Sequence, residues 1–349
     1  MLEIKDIIGE KTFIIAEAGV NHNGNIETAK ELIDVAINAK ADAIKFQTFN
    51  TDKLVTKKAA KADYQTETTN ANESQYEMLK KLELSKKDHK ELISYCNEQN
   101  ITFMSTPFDF ESVDLLEKLG VDIFKIGSGD LTNIPLLKYI AELKKPMIVS
   151  TGMANLGEVE EAVNAINNSG NDKLILLHCV SNYPAAFKNV NLRAMNTLKT
   201  AFKVPVGYSD HTLGIEVSIA SVALGAKVIE KHFTLNEKME GPDHKASINP
   251  NNLKKMVKSI RYVERTLGNG IKKYQKSEID NRKKARRSLI INSSLKRGTT
   301  ITNNVLEIKR PGIGIKPKYK HEIIGMKTRV NVQADSILKW DMLEKKERK

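Results

Sequence analysis

The most constraining feature of the chain is a pattern that recurs eight times in its first 270 residues. In each recurrence a short apolar segment runs into polar residues and is followed by an amphipathic stretch of helical period. Short apolar segments that alternate with helices are typical of parallel β-strands covered by helices. Eight such units over about 250 residues predict an α/β fold, a (β/α)8 TIM barrel, with a doubly wound open sheet as the alternative. The predicted strands are Phe13–Ala16, Ala43–Phe46, Thr102–Ser105, Ile123–Ile126, Met147–Ser150, Leu174–His178, Val206–Tyr208 and Val228–His232.

The composition changes after residue 270, which predicts a second domain. Residues 1–270 would form the catalytic barrel, with the polar stretch Thr51–Leu84 as a long loop over its mouth. Residues 271–287 are polar and charged, and we interpret them as a linker. Residues 288–349 contain short β-like pieces separated by Gly, Pro and Asn, which indicates a small β-rich domain. Its predicted strands are Ser288–Asn292, Thr299–Thr302, Glu307–Lys309 and Arg329–Val332.

The formal net charge of +12 raises the question of nucleic-acid binding. The charge is uneven, because residues 280–349 contain 19 Lys and Arg against 7 Asp and Glu, whereas residues 1–279 contain 36 of each sign. No aromatic-rich RNA-binding motif or zinc finger accompanies the basic residues. We therefore expect no nucleic-acid partner, and we interpret the basic end as a solvated face or as a source of local attraction for an anionic substrate.

Cysteine usage and hydropathy indicate a cytoplasmic protein. The two cysteines, Cys96 and Cys179, are too few for a disulfide framework and predict buried, reduced thiols. No apolar run approaches the roughly 20 residues of a membrane span, and the first residues lack the pattern of a signal peptide. We expect no association with a membrane.

Polar side chains concentrate where the predicted strands end. In a barrel these ends share one mouth, and residues two apart on a strand share a face, as Lys45 and Gln47 do. Two lysines and several small hydroxyls around one mouth suit a phosphate or carboxylate ligand. The strand-end residues are Glu17, Lys45, Gln47, Thr106, Lys125, Ser128, Asp130, Ser150, Ser181, Tyr183, Ser209, His211, Glu230 and His232.

Two histidines and one carboxylate are candidates for chemistry. His211 and His232 end neighbouring strands and predict a divalent-metal site with open positions for water or substrate. Glu17 is a candidate general base. The plainer alternative is that each histidine is a hydrogen-bonded structural residue.

Other strand-end residues have structural interpretations. We expect His178 to be a structural histidine inside the barrel, and Glu230 to be an interior salt-bridge partner of Lys125 or Lys45. Either lysine is also the candidate nucleophile of a different enzyme class, an aldolase that works through a Schiff base.

A series of motifs runs in order through the whole chain. The motifs are IIAEAGVNHNG (Ile14–Gly24), KFQTF (Lys45–Phe49), STPFD (Ser105–Asp109), FKIGSGD (Phe124–Asp130), STGMA (Ser150–Ala154), HC with YP (His178 to Pro184), GYSDHTLG (Gly207–Gly214), EKHFTL (Glu230–Leu235), GPDHKAS (Gly241–Ser247) and KRPGIGI (Lys309–Ile315). Together they resemble the sialic acid synthase family. The resemblance implies a (β/α)8 barrel followed by a small antifreeze-like domain (SAF, β-clip), in a domain-swapped homodimer whose small domains cover the partner's barrel mouth.

The resemblance also implies a role for individual residues. Positions that hold phosphoenolpyruvate are matched by Lys45, Thr106, Lys125, Ser128, Ser150 and Ser209, and Ser181 occupies a further such position with a different residue type. His211 and His232 match ligands of Mn²⁺ or Mg²⁺, and Glu17 matches the acid/base carboxylate, which makes Glu17, Lys45 and Lys125 the catalytic residues. Positions that contact the sugar are matched by Gln47, Asn70, Tyr183, Asp243 and, from the partner's small domain, Arg310, and Asp130 occupies a further such position with a different residue type.

The activity implied is a transferase reaction that condenses phosphoenolpyruvate with an N-acylated amino sugar and releases phosphate. Asp130 stands where the bacterial sialic acid enzymes have Glu, Ser181 stands where they have Asn, and the loop from Lys61 to Gln65 looks more like legionaminic acid synthases. We therefore expect a 2,4-diacetamido-2,4,6-trideoxymannose substrate, with N-acetylmannosamine as the alternative. A Schiff-base aldolase and a non-catalytic nucleic-acid-binding protein are the more distant alternatives.

Overall fold

A computed structural model describes residues 3–70 and 72–344. The chain forms two compact units that divide between Gly268 and Asn269. In the first unit, eight parallel strands pair in sequence order, and the last strand pairs with the first, so the sheet closes into a barrel. The predicted barrel is confirmed, and the open-sheet alternative is wrong. The strands are β1 (Phe13–Gly19), β2 (Ala43–Thr48), β3 (Thr102–Pro107), β4 (Phe124–Ile126), β5 (Met147–Ser150), β6 (Leu174–Cys179), β7 (Val206–Asp210) and β8 (Val228–His232).

Helices connect and surround these strands. Many begin at a side chain that accepts from free backbone N–H groups, as Asn25 does for Glu27 and Thr28, because the first turn of a helix lacks internal partners. The helices of the first unit are α1 (Ile4–Ile7), α2 (Ile26–Ala39), α3 (Thr51–Leu54), α4 (Asp63–Thr68), α5 (Gln75–Lys80), α6 (Lys86–Glu98), α7 (Phe110–Lys118), α8 (Ile134–Glu142), α9 (Leu156–Asn168), α10 (Ala194–Phe202), α11 (Glu216–Ala223) and α12 (Pro250–Leu267).

The strands separate two apolar layers. Along β1, Phe13 and Ile15 belong to the cluster inside the barrel, whereas Ile14 and Ala16 belong to the cluster between strands and helices. This alternation follows from the two-residue period of a strand. Ile7 of α1 joins the interior cluster, so α1 packs against the amino-terminal end of the barrel. The apolar interior therefore leaves the carboxyl end of the barrel for polar side chains.

The polar stretch between β2 and β3 is more ordered than a loop. It contains the short helices α3, α4 and α5. Its buried Met78 and Leu82 form a separate apolar cluster with Val20 and Phe49, which follow the ends of β1 and β2. The stretch is thus packed onto the strand ends rather than suspended in solvent.

The second unit contains the strands β9 (Ser288–Ile291), β10 (Leu306–Lys309) and β11 (Ser336–Ile337) and the helices α13 (Ile279–Ala285) and α14 (Lys320–Ile323). The three strands form an antiparallel sheet in the order β10–β9–β11. Two predicted strands are wrong within the described residues, since Thr299–Thr302 and Arg329–Val332 form only isolated bridges at Thr300 and Val332. Both segments lie beside turns, so neither pairs with a neighbour over several residues. In residues 3–70 and 72–344, no helix has the length and apolarity to cross a bilayer.

Candidate active site

A cavity of about 500 Å³ opens at the carboxyl ends of the barrel strands. It brings together most of the residues that the sequence singled out, because all eight strands of a closed barrel end at the same mouth. The predicted residues that line it are Glu17, Lys45, Gln47, Thr106, Lys125, Ser128, Ser150, Ser181, Tyr183, Ser209, His211, Glu230 and His232.

Four buried charges form the floor of the cavity. Lys45 Nζ lies 2.7 Å from Glu17 Oε2 and 3.6 Å from Glu230 Oε2. Lys125 Nζ lies 3.6 Å from Glu230 Oε1. Glu230 therefore bridges both lysines, which confirms the expected interior salt bridge and shows that it involves both candidates. All four side chains are at most 5% exposed, so solvent screens these interactions weakly.

Hydroxyl groups hold the two ammonium groups in place. Lys45 donates to Thr106 Oγ1 at 3.0 Å, and Lys125 donates to Ser150 Oγ at 2.7 Å. Ser209 donates to Glu230 at 2.8 Å. Each ammonium group thus has a fixed position at the cavity floor, and an anionic ligand would take over a donor that now faces a carboxylate.

The Ser128 hydroxyl is positioned by close backbone packing at Gly152. The Gly152 N–H donates to Ser128 Oγ at 3.0 Å. A Cβ atom at position 152 would lie only 2.8 Å from the same oxygen, so glycine is required for this approach.

The two floor carboxylates have opposite pKa shifts. Burial raises the pKa of Glu17 to about 7 and outweighs the attraction of Lys45, and the nearby Glu230 raises it further. Burial also acts to raise the pKa of Glu230, but Lys125 and Lys45 together prevail and lower it to about 2. At neutral pH Glu230 is a fixed negative charge, whereas Glu17 is close to the midpoint of its titration, as an acid/base group requires.

His211 and His232 face each other with ring centroids 5.5 Å apart. The Nδ1–H of His211 donates to the Val180 carbonyl at 2.9 Å, which turns Nε2 away from that carbonyl and fixes the orientation of the ring. His232 Nδ1 is buried without a hydrogen-bond partner, 3.9 Å from Asp243 Oδ2. Burial lowers the pKa of His232 well below its usual value, so its ring is neutral at pH 7. A neutral imidazole with an unpartnered buried nitrogen, opposite a second imidazole oriented by a backbone hydrogen bond, suits a divalent metal that takes its other ligands from water or substrate.

Among the residues that the structure describes, no further side chains join His211 and His232 in a larger set of metal ligands. Within residues 3–70 and 72–344, no group of three or more His, Cys, Asp or Glu side chains has the arrangement of a metal site. The donor set that fits a metal is thus the two histidines.

A second buried ion pair fixes the strands that carry these histidines. Lys231 Nζ and Asp210 Oδ2 lie 3.0 Å apart, and both side chains are fully buried. Asp210 also accepts from the backbone N–H of Thr212 at 2.9 Å and from the Ser218 hydroxyl at 2.6 Å. Because neighbours on a strand point to opposite faces, Asp210 and Lys231 pack behind the strand ends while His232 faces the cavity.

Aromatic rings form one side of the cavity. The Tyr183 ring lies 4.1 Å from the His211 ring, centroid to centroid, and stacks at 5.2 Å on the ring of Tyr64. Tyr64 belongs to α4, and it lines the cavity together with Ala62 and Asp63. The segment predicted as a loop over the mouth therefore contributes to the cavity wall.

Four predicted sugar-contacting residues do not line the cavity. Asp243 is buried beside His232 at the distance given above. Asp130 accepts from the Asn133 side chain at 3.0 Å, and Asn70 is exposed and accepts from the Asn72 backbone. Arg310 is exposed in the second unit. Their roles stay predictions.

Two residues differ from their sequence interpretation. His178 does not lie inside the barrel, because its neighbour Cys179 lines the cavity and successive strand residues alternate. His178 lies on the outer face, donates to the Val190 carbonyl at 2.7 Å and contacts Tyr208. Cys179 is buried as expected, but its Sγ lies 3.6 Å from His211 Nδ1. The alternation of inward and outward side chains along β6 could have predicted that Cys179 faces the cavity and His178 the outer side of the barrel.

Comparison with known proteins identifies the family. Residues 32–272 match the NeuB family, and residues 286–344 match the SAF domain. N,N'-diacetyllegionaminic acid synthase of Campylobacter jejuni is 52% identical, with 95% of this chain and 99% of that protein covered. The Legionella pneumophila protein of the same name is 48% identical, with 95% and 94% covered.

A solved structure agrees with these matches. The N-acetylneuraminic acid synthetase from Leptospira borgpetersenii, in complex with citrate, is 38% identical with a TM-score of 0.69, covering 78% of this chain and 91% of that one. The resemblance predicted from the strand-end motifs is thereby confirmed: the chain belongs to the NeuB family and carries a SAF domain after its barrel.

Proposed function

We propose that the chain is a phosphoenolpyruvate-dependent synthase that makes N,N'-diacetyllegionaminic acid from a 2,4-diacetamido-2,4,6-trideoxymannose sugar. The observation that carries the proposal is the cavity floor, where two buried lysines, fixed by hydroxyls, lie beside a carboxyl group with a pKa of about 7. The 52% and 48% identical relatives that carry this synthase name support the choice of sugar. N-acetylmannosamine is the second candidate, supported by the 38% identical sialic acid synthetase.

The floor has the chemistry to hold phosphoenolpyruvate. Lys45 and Lys125 supply positive charge for its phosphate and carboxylate, and the donors around them are short hydroxyls at fixed positions. Ser128, Ser181 and Ser209 line the same space. Glu230 already neutralises part of the lysine charge, so an incoming anion would compete with that carboxylate for the two lysines.

His211 and His232 would hold a Mn²⁺ or Mg²⁺ ion. Such an ion, when bound, acts as a Lewis acid on a carbonyl oxygen. The neutral His232 ring and the hydrogen bond that orients His211 match what a ligating imidazole needs.

The proposed reaction joins C3 of phosphoenolpyruvate to the aldehyde carbon of the open-chain sugar. A water molecule then adds to C2, and phosphate leaves with cleavage of its C–O bond, so the products are the nine-carbon sugar acid and inorganic phosphate. Glu17 would take the proton from the water, because its pKa of about 7 leaves a large ionised fraction at neutral pH. Lys45 and Lys125 would stabilise the charge on the departing phosphate.

The sugar would bind above this floor. Gln47 and Tyr183 line the upper cavity, and Asp243 is buried beside His232. The proposal also includes Asp130, Asn70 and a domain-swapped homodimer in which Arg310 of one protomer reaches the sugar of its partner. A cytoplasmic location is part of the same proposal.

A phosphate-release assay tests the proposal. It combines the protein, Mn²⁺ and phosphoenolpyruvate with a panel of sugars: the diacetamido-trideoxymannose, N-acetylmannosamine and the altrose isomer of the diacetamido sugar. We expect release with the first sugar at a kcat/KM well above that for the others. A Schiff-base aldolase would instead be trapped on Lys45 or Lys125 by borohydride, and release without any panel sugar would also contradict the proposal.

A further inference from the structure

The segment between β2 and β3 is anchored so that α4 has a fixed place beside the cavity. The Gly241 N–H donates to the Thr68 carbonyl at 3.3 Å, and the Thr68 hydroxyl donates to the Pro242 carbonyl at 3.4 Å. Within the segment, Lys61 donates across α4 to Thr69 Oγ1 at 2.8 Å. The two hydrogen bonds of Thr68 tie α4 to the loop that follows β8, so the side chains of α4 that line the cavity are part of its wall.

Tyr64 is the large apolar component of that wall. Its ring stacks on Tyr183 with an interplanar angle of 27°, and the Tyr183 ring in turn lies 4.1 Å from His211. The three rings form a chain of contacts from His211, which follows the end of β7, to Tyr64 on α4. A ring that lines a cavity and is backed by a second ring presents a rigid apolar surface to any ligand.

The direction of the sugar follows from the proposed function, on which this inference rests. Phosphoenolpyruvate bound to Lys45 and Lys125 occupies the floor, so the aldehyde carbon that it attacks must point towards the floor. The opposite end of the sugar, C4 to C6, then points outwards to the level of Tyr64. In the diacetamido-trideoxy sugar this end carries an acetamido methyl and a C6 methyl, whereas N-acetylmannosamine carries hydroxyls there.

We propose that Tyr64 determines the sugar specificity of the enzyme, its ring packing against the methyl groups at the C4–C6 end of the sugar. Burial of methyl groups against the ring favours the diacetamido sugar. The hydroxyls of N-acetylmannosamine would be desolvated against the same ring without a hydrogen-bond partner, which disfavours that sugar.

The test compares Tyr64→Ala and Tyr64→Phe with a control, Tyr76→Ala. Tyr76 is on α5 of the same segment, where its hydroxyl donates to Asp52 at 2.7 Å outside the cavity lining. For each protein, kcat/KM is measured for both sugars, together with the KM for phosphoenolpyruvate. A sugar that is not turned over is compared by its inhibition constant against the diacetamido sugar.

We expect Tyr64→Ala to lose about 10- to 100-fold in kcat/KM for the diacetamido sugar and less than about threefold for N-acetylmannosamine, since a lost apolar contact is worth that much discrimination. Tyr64→Phe keeps the ring and should keep the wild-type ratio, as should Tyr76→Ala. The KM for phosphoenolpyruvate should stay within about threefold, because the floor is untouched.

An unchanged ratio, or an equal loss for both sugars, would overturn the role of Tyr64. If Tyr64→Ala melts below the assay temperature, Tyr64→Leu carries the same comparison. If the wild-type enzyme released no phosphate with either sugar, the proposed function would be wrong instead. The wild-type assay is run before any variant is made, so the two failures are distinguishable.

Discussion

Replacing Glu17 by Gln tests the acid/base role most directly, because the amide keeps the shape of the side chain and removes its titration. The Glu17 carboxyl is 1% exposed and lies 2.7 Å from Lys45, yet burial prevails and raises its pKa from 4.5 to about 7. If ionised Glu17 is the base, only about a tenth of the enzyme is active one pH unit below that pKa. The wild-type kcat/KM for phosphoenolpyruvate should therefore fall about tenfold per unit of pH below 7.

The Glu17→Gln enzyme should have a lower kcat than wild type, and its activity should no longer fall with pH near pH 7. Loss of a positioned proton acceptor costs about 10²- to 10⁴-fold in kcat. The acid limb near pH 7 should disappear, while the KM for phosphoenolpyruvate stays within about threefold because both lysines remain. Phosphate release is measured from pH 5.5 to 9 at saturating sugar, with Glu27→Gln as a control, since the side chain of Glu27 is 72% exposed on α2. A Glu17→Gln enzyme with the wild-type acid limb, or with more than a third of the wild-type kcat, would refute the role of Glu17.

Three further predictions follow from the same geometry. His211→Ala should bind Mn²⁺ at least about 100-fold more weakly in a direct titration, and EDTA should abolish wild-type phosphate release until Mn²⁺ is restored; a metal affinity equal to wild type would refute the site. Mixing the inactive variants Glu17→Ala and Arg310→Ala should restore about a quarter of wild-type activity if each site takes Arg310 from its partner, because half of the dimers then contain one intact site; no restoration would exclude that arrangement. Lys231→Met should lower the free energy of unfolding by about 3–5 kcal/mol, seen as a fall of about 5–15 °C in Tm, because the Asp210 carboxylate is left buried without a counter-charge; the exposed control Lys227→Met should melt like wild type, and a Lys231→Met protein that does the same would refute this role of the ion pair.

The barrel and its floor were predictable because two periodicities determine them. Eight recurrences of strand and helix require a closed or open parallel sheet, and a parallel sheet brings its carboxyl ends to one edge. The two-residue period of a strand then places Lys45 with Gln47, and Glu230 with His232, on the cavity side. The same period, applied to β6, would have placed His178 outside and Cys179 inside.

The residues that form the wall of the cavity could not be predicted from strand or helix periodicity. Tyr64 reaches the cavity because α4 is tied to the loop after β8 by hydrogen bonds between residues more than 170 positions apart. No local periodicity encodes such a contact. In the second unit, β9 and β10 lie where strands were predicted, but β11 was missed, because a two-residue strand has too few residues to show an alternating pattern.

The floor also couples the binding of phosphoenolpyruvate to the protonation of Glu17. The substrate anion would take its place beside Lys45, whose positive charge now opposes the rise in the pKa of Glu17. A new negative charge at that distance raises the pKa of a carboxyl group further. The kcat/KM profile reports the free enzyme and the kcat profile reports the bound enzyme. The acid limb should therefore lie near pH 7 in kcat/KM and at higher pH in kcat, and coincident limbs in the two profiles would mean that the substrate anion binds away from Lys45.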